Sequence, residues 1–183
     1  MKTRATLTLI TLIGAAMVSV QNARSATITV TYTNDSGGGS LRQALADAND
    51  GDTINFSLIT PATITLTSGE LLVNKSVTIS GPGADQLSVN GNASSRVFHI
   101  SPGKTVTISD LTITNGYAYQ ASGGGIYNEY ATLTINNCII SGNSASGGGG
   151  IVNYGERWGR RGGNYDQQLY DQRQLSLLRR RYL

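Results

Sequence analysis

One block of the chain and its upstream echo constrain the fold more than any other feature. Ala131–Asn153 reads ATLTINNCIISGNSASGGGGIVN, and Lys104–Asn128 reads KTVTISDLTITNGYAYQASGGGIYN. Val106-Thr107-Ile108 recurs as Leu133-Thr134-Ile135, and Leu111-Thr112-Ile113 as Cys138-Ile139-Ile140, both at an offset of 27. Gly124-Gly125-Ile126-Tyr127-Asn128 recurs as Gly149-Gly150-Ile151-Val152-Asn153 at an offset of 25. A fainter copy, Ser76-Val77-Thr78-Ile79-Ser80-Gly81, precedes the Val106 block by 29. Self-similarity at such a period marks a repeat architecture.

Each repeat holds short runs that alternate apolar residues with Thr, Ser or Asn and break at Gly or Asn. Val106/Ile108, Leu111/Ile113, Leu133/Ile135 and Cys138/Ile140 are expected to point inward, and Thr107, Thr112 and Thr134 outward. That is period-two strand patterning, with no helical run between strands. A fixed translation sets equivalent strands side by side and parallel. Parallel neighbours without helical crossovers require the chain to coil. The fold class expected is all-β, a parallel β-helix with one coil per repeat. Asn115 and Asn143, just after their strands, suit turns, where Asn tolerates left-handed geometry.

These motifs resemble a known family. A GG-[AG]-I motif leads into a strand that ends near Asn, carried here by the segments closing on Ile126-Tyr127-Asn128 and Ile151-Val152-Asn153. The chain is similar in this to bacterial secreted β-helix proteins with polymorphic-outer-membrane-type repeats, over roughly residues 26–153. The resemblance implies a right-handed, pectate-lyase-like solenoid displayed outside the cell. The family's N-terminal motif C-S-L-R-E-A stands here as Gly39-Ser40-Leu41-Arg42-Gln43-Ala44. The Cys and Glu are missing, so any function tied to them does not carry over; a capping role does.

Four segments are expected. Residues 1–25 form a signal peptide. Lys2 and Arg4 give a positive start, Leu7–Val20 an apolar stretch short for a membrane span, and Ala23-Arg24-Ser25 small residues at the two positions a signal peptidase reads. Residues 26–70 hold a first strand (26–32), a Gly-rich loop, a short helix and a first coil. Ser40 and Gln43 fit a capping box, Leu41, Ala44, Leu45 and Ala48 form an amphipathic stripe, and Gly51 sits where a C-terminal cap glycine would. A solenoid has an open apolar end, so a helix laid across it is the expected cap. Residues 71–153 continue the coils, and residues 154–183 form a basic tail.

No catalytic, cofactor-binding or metal-ligating residues are assigned. Lyases and hydrolases on this fold cluster carboxylates on adjacent coils. Between Gly69 and Asn153 the only acids are Glu70, Asp85, Asp110 and Glu129, and Asp110 has Asn137 as its equivalent in the next coil. Asp47, Asp50 and Asp52 cluster in a turn after the helix and are expected to be solvated. His99, between inward Phe98 and Ile100, is expected to be a solvated face residue rather than a ligand. Cys138 falls where Leu111 falls one coil earlier and is expected to be a small buried hydrophobe. The glycine runs are followed by Ile, not by Lys-Ser/Thr or Asp, which excludes a phosphate loop and a calcium-binding repeat.

Charge separates the segments. The leader carries +3 and the tail +4, against −4 for the body, summing to the net +3. The basic balance comes from the ends, so it is no argument for nucleic acid. Read one base later with permissible codons, residues 162–183 can spell E-V-T-M-T-N-S-Y-T-I-N-G-N-S-A-S-Y-G-G-G-I-Y, another repeat. Tyr165 can then give only Met or Thr, Asp166 only Thr or Ile, and Gln167 only Asn or Ser. The tail is therefore expected to be a frameshifted remnant, disordered or poorly packed, of a longer coiled ancestor. Three functions are open. The first is a non-enzymatic secreted or cell-surface segment, structural or adhesive, with glycans or other surface components as partners and no cofactor. The second is part of a polysaccharide lyase or hydrolase whose catalytic coils are missing. The third is a disrupted gene product.

Overall fold

A computed structural model describes residues 25–155. The expected leader before Ser25 and the tail beyond Gly155, with its frameshift reading, lie outside the described residues. The chain begins with strand β1 (Thr27–Val30) and helix α1 (Leu41–Asp47). Two three-strand coils follow: β2 (Thr53–Phe56), β3 (Ala62–Thr65) and β4 (Leu71–Val73), then β5 (Thr78–Ser80), β6 (Leu87–Asn90) and β7 (Phe98–Ile100). The third coil has β8 (Thr105–Ser109), β9 (Thr112–Thr114), β10 (Tyr117–Ser122) and β11 (Ile126–Glu129). The fourth has β12 (Thr132–Asn136), β13 (Ile139–Ser141), β14 (Ser144–Gly147) and β15 (Ile151–Tyr154). Strand structure thus runs one residue past Asn153.

Every pairing is between coils and parallel, which makes the molecule a parallel β-solenoid. The first sheet runs β1-β2-β5-β8-β12, the second β3-β6-β9-β13 and the third β4-β7-β11-β15; β10 and β14 form a separate ribbon. The registers reproduce the offsets read from the repeats: Ile79 pairs with Ile108, Val106 with Leu133, and Ile126 with Ile151. Ile54, Ile79, Ile108 and Ile135 form one inward column. The first three are fully buried, each worth about 1.5–3 kcal/mol of apolar transfer. Cys138 lies beside Leu111 in the expected column but is only partly buried against the core. Burial pushes its thiol up, so it stays protonated and inert at neutral pH.

The cap is where the apolar stripe places it. Leu41, Ala44, Leu45 and Ala48 are all buried and belong to the solenoid core. The helix packs on β1 and β4, closing the end that begins with β1. The Ser40 hydroxyl accepts from the Gln43 amide at 3.2 Å. The other half of the capping box is absent: Gln43 reaches forward, its Nε2 donating to Asp47 Oδ1 at 2.7 Å. Gly51 does take left-handed geometry (φ +95°), but in the turn before β2, three residues past the cap Ala48. Arg42 anchors the helix by donating to Asp35 Oδ1, Gly69 O and Glu70 O, each at 2.7 Å.

Two further expectations change. Asp47 and Asp50 are exposed as expected, but Asp52 is not a solvated turn acid. Asp52 is 3% exposed and accepts from the Ala26 and Asn49 amides; Asp50 accepts from Ser76 N. Asn115 does adopt φ +51°, but the register pairs Thr114 with Ser141, so its equivalent is Gly142 (φ +65°), not Asn143. Asn143 instead bridges coils with its side chain, donating to Ile113 O at 2.9 Å and accepting from Gly116 N at 2.7 Å. Glycine at 116 is obligatory for a different reason: a Cβ there would lie 1.9 Å from Gly124 O. Gly123 (φ +71°) and Gly148 (φ +54°) make left-handed turns within the two glycine runs, and Ile126 beyond the first is fully buried, whereas Ile151 beyond the second is 41% exposed.

Candidate functional site

Outward residues of the third sheet carry the densest polar chemistry among the described residues. β7 holds His99 between Leu72 on β4 and Tyr127 on β11. Glu70 stands just before β4, and Glu129 ends β11. The imidazole lies between both acids: Nδ1 is 2.9 Å from Glu70 Oε1, and Nε2 is 3.1 Å from Glu129 Oε2. This corrects the reading of His99 as a solvated face residue, since its side chain is only 21% exposed. It also brings together two acids that no repeat spacing paired. The second Glu70 oxygen accepts from Arg96 Nη1 at 3.0 Å, and Arg96 Nε donates to Ser122 O at 2.8 Å.

Aromatic rings complete the face. His99 meets Tyr127 edge-on with centroids 5.0 Å apart, and the Arg96 guanidinium lies 4.8 Å from the Tyr127 centroid. Such a cation over a ring is worth about 0.5–1 kcal/mol at an exposed site. Tyr154 packs on Tyr127 and Tyr130 at 5.4 and 6.5 Å.

Electrostatics tie the cluster into a unit. Burial pushes the Glu70 carboxyl up, but the hydrogen bonds and charges of His99 and Arg96 outweigh it and hold the group below the usual glutamate value. Burial, with Glu129 and Tyr154 alongside, pushes the Tyr127 hydroxyl up. A carboxylate only accepts, and a neutral imidazole has one N–H. Both Glu contacts are therefore hydrogen bonds at once only when the ring carries two protons.

Beside this cluster runs an open groove of about 370 Å³, lined by Glu70, Ser95, Arg96, Ala118, Tyr117 and Tyr119. β10 makes its outer wall, and β10 contains an irregularity. Ala118 pairs with Ala145 at an offset of 27, whereas Ser122 pairs with Gly147 at 25. Two extra residues are accommodated there, with Gln120 at φ +49°. Such bulges re-aim side chains, and here Tyr119 is 71% exposed, its ring 6.4 Å from that of Tyr117. The groove and its tyrosines were missed in the sequence. The signal was present, because the repeat offset falls from 27 to 25 between Ile113 and Gly124.

The two acids do not share an opening. Paired carboxylates that hydrolyse glycosides face a shared opening for the sugar and a water. Here the imidazole fills the space between Glu70 and Glu129, and only Glu70 lines the groove. Asp110 meets Asn137, whose Nδ2 donates to it at 3.2 Å, and no second acid among the described residues. Among the described residues no group of three His, Cys, Asp or Glu side chains is arranged to hold a metal ion, and no helix is long and apolar enough to cross a membrane. Comparisons with protein-family models, curated proteins and solved structures return no match to this chain.

Proposed function

We propose that the protein is an exported, surface-displayed β-helix segment that is structural or adhesive, and that it contacts glycans through the groove beside β10. We read the solenoid as right-handed and pectate-lyase-like, with repeats of the polymorphic-outer-membrane type. The single observation that carries the glycan reading is the bulge. It lifts Tyr117 and Tyr119 beside the Arg96–Glu70 pair on an otherwise regular coil. Amphipathic rings give apolar contact at low conformational cost, and the ion pair offers fixed donors and acceptors to hydroxyls. A rigid parallel stack presents these groups without reorganisation, which lowers the cost of binding. The body carries net negative charge, which disfavours nucleic acid as the partner.

The test is affinity electrophoresis of the protein through gels that contain neutral or acidic polysaccharides. Retardation by at least one polysaccharide is expected. Tyr119→Ala and Arg96→Ala are each expected to weaken it about tenfold, the effect of removing one central contact. No retardation on any polysaccharide, or retardation that both variants keep, would end the glycan reading. Release of new reducing or unsaturated ends from the retained polysaccharide would favour the lyase or hydrolase reading instead.

A further inference from the structure

The start of the first sheet is built around a buried acid. Asp52 is 3% exposed, and both of its oxygens are held: Oδ1 accepts from Ala26 N at 2.7 Å and Oδ2 from Asn49 N at 2.8 Å. Among the described residues no Lys, Arg or His side chain pairs with it. The two amide bonds outweigh burial and hold the carboxyl below the usual aspartate value, so Asp52 is a charged group with no cation beside it. Its partner is not an arbitrary amide. Ala26 follows Ala23-Arg24-Ser25, which offers small residues at the two positions read by a signal peptidase. Ala26 is itself exposed. Its carbonyl is already committed to the sheet, accepting from Thr53 N at 2.8 Å.

We propose that Asp52 is the seat of the processed amino terminus. Hydrolysis of the Ser25–Ala26 peptide bond by an export-pathway peptidase adds one water and breaks the C–N bond. The leader leaves with a carboxylate on Ser25, and Ala26 keeps the nitrogen, which takes up a proton as an α-ammonium group. Asp52 then holds a cation where it had held an amide. The buried acid gains its missing counter-ion, and β1 is fastened as the first rung of the sheet. Processing therefore stabilises the end of the solenoid on which α1 rests. The other charged groups at this edge are Asp50, bound to Ser76 N and 3.6 Å from Lys104 Nζ, and Lys75. None of the three replaces the counter-ion of Asp52.

The proposal is independent of glycan binding, and its test does not use it. The full reading frame is expressed with export, and the exported chain is sequenced from its amino terminus; Ala26 is expected as the first residue. The exported chain is then compared with the same chain acetylated at its α-amine alone, with Lys75 and Lys104 left free, in parallel with Asp52→Asn treated identically. The free chain should melt about 2–4 °C above the acetylated one at pH 6, and Asp52→Asn should abolish that gap. A carboxylate partner raises the pKa of the folded α-amine. The gap should thus be full below the ordinary α-amino value of about 7.7–8.0 and vanish as pH rises through the folded one. If Asp52→Asn does not fold, titration of the Ala26 α-amine by NMR in the unmutated chain decides, with an upward displacement expected. A different first residue, equal melting of free and acetylated chains, a gap that survives in Asp52→Asn, or an undisplaced amine would overturn the proposal.

Discussion

The two ends of the described part of the solenoid are built from the same strand pattern and reach different states. At the β1 end, α1 lies over the coil, and Val30, Leu41 and Ile54 are fully buried. At the β12–β15 end, Leu133, Ile135, Cys138 and Ile140 occupy the same inward columns and are only partly buried. Ile151, paired with the fully buried Ile126, is 41% exposed. Alternation therefore decides which way a side chain points. Burial is decided by whether another layer lies over it.

The largest effect expected from this comparison is in one column. Ile108→Ala should cost about 2–5 kcal/mol in urea unfolding, because the cavity is enclosed by coils on both sides. Ile135→Ala, one rung on, should cost less than half as much, since water already reaches it. Equal losses would mean that the fourth coil is as enclosed as the third. Next comes the cap. Arg42→Ala removes charge-assisted bonds to Asp35 and to two carbonyls and should cost about 2 kcal/mol. Hydrogen exchange should show the loss first in β1 and β4, with β12–β15 unchanged.

The pH dependence should separate the ends as well. Asp35 accepts from the Ser68 hydroxyl and amide and from Arg42. Burial pushes its carboxyl up, but these bonds outweigh it and lower the group from 3.8 to about 2. Its folded-state pKa is depressed, so its contribution is full above pH 3.8 and is lost as pH falls toward 2. Between those values the wild type should lose stability steadily, whereas Asp35→Asn should show a shallower slope. An unchanged slope would remove Asp35 from the cap. The smallest effect is Ser40→Ala, about 1 kcal/mol for the lost N-cap, read as a shift in urea midpoint.

Much of the fold was legible because a β-solenoid repeats its own solution. Offsets of 29, 27 and 25 correspond to observed registers, and the Leu41/Ala44/Leu45/Ala48 stripe identified the cap. Local side-chain roles were less legible. Asn143 was read as the left-handed residue, which is in fact its neighbour Gly142, since the offset is 27 and not 28 at that point. Gln43 had two partners within reach, and the sequence does not show that it takes Asp47.

By itself the sequence determined the period, the inward columns and the helix that covers one end. These follow from spacing within one coil and from repetition. The tertiary structure alone decided which outward side chains meet. Glu70, His99 and Glu129 are 29 and 30 residues apart along the chain, and Asp52 and Ala26 are 26 apart. Coil lengths differ by several residues, so no single period predicts such neighbours. Their contacts are fixed only once loops and the β10 bulge have set how each coil lies on the one before it.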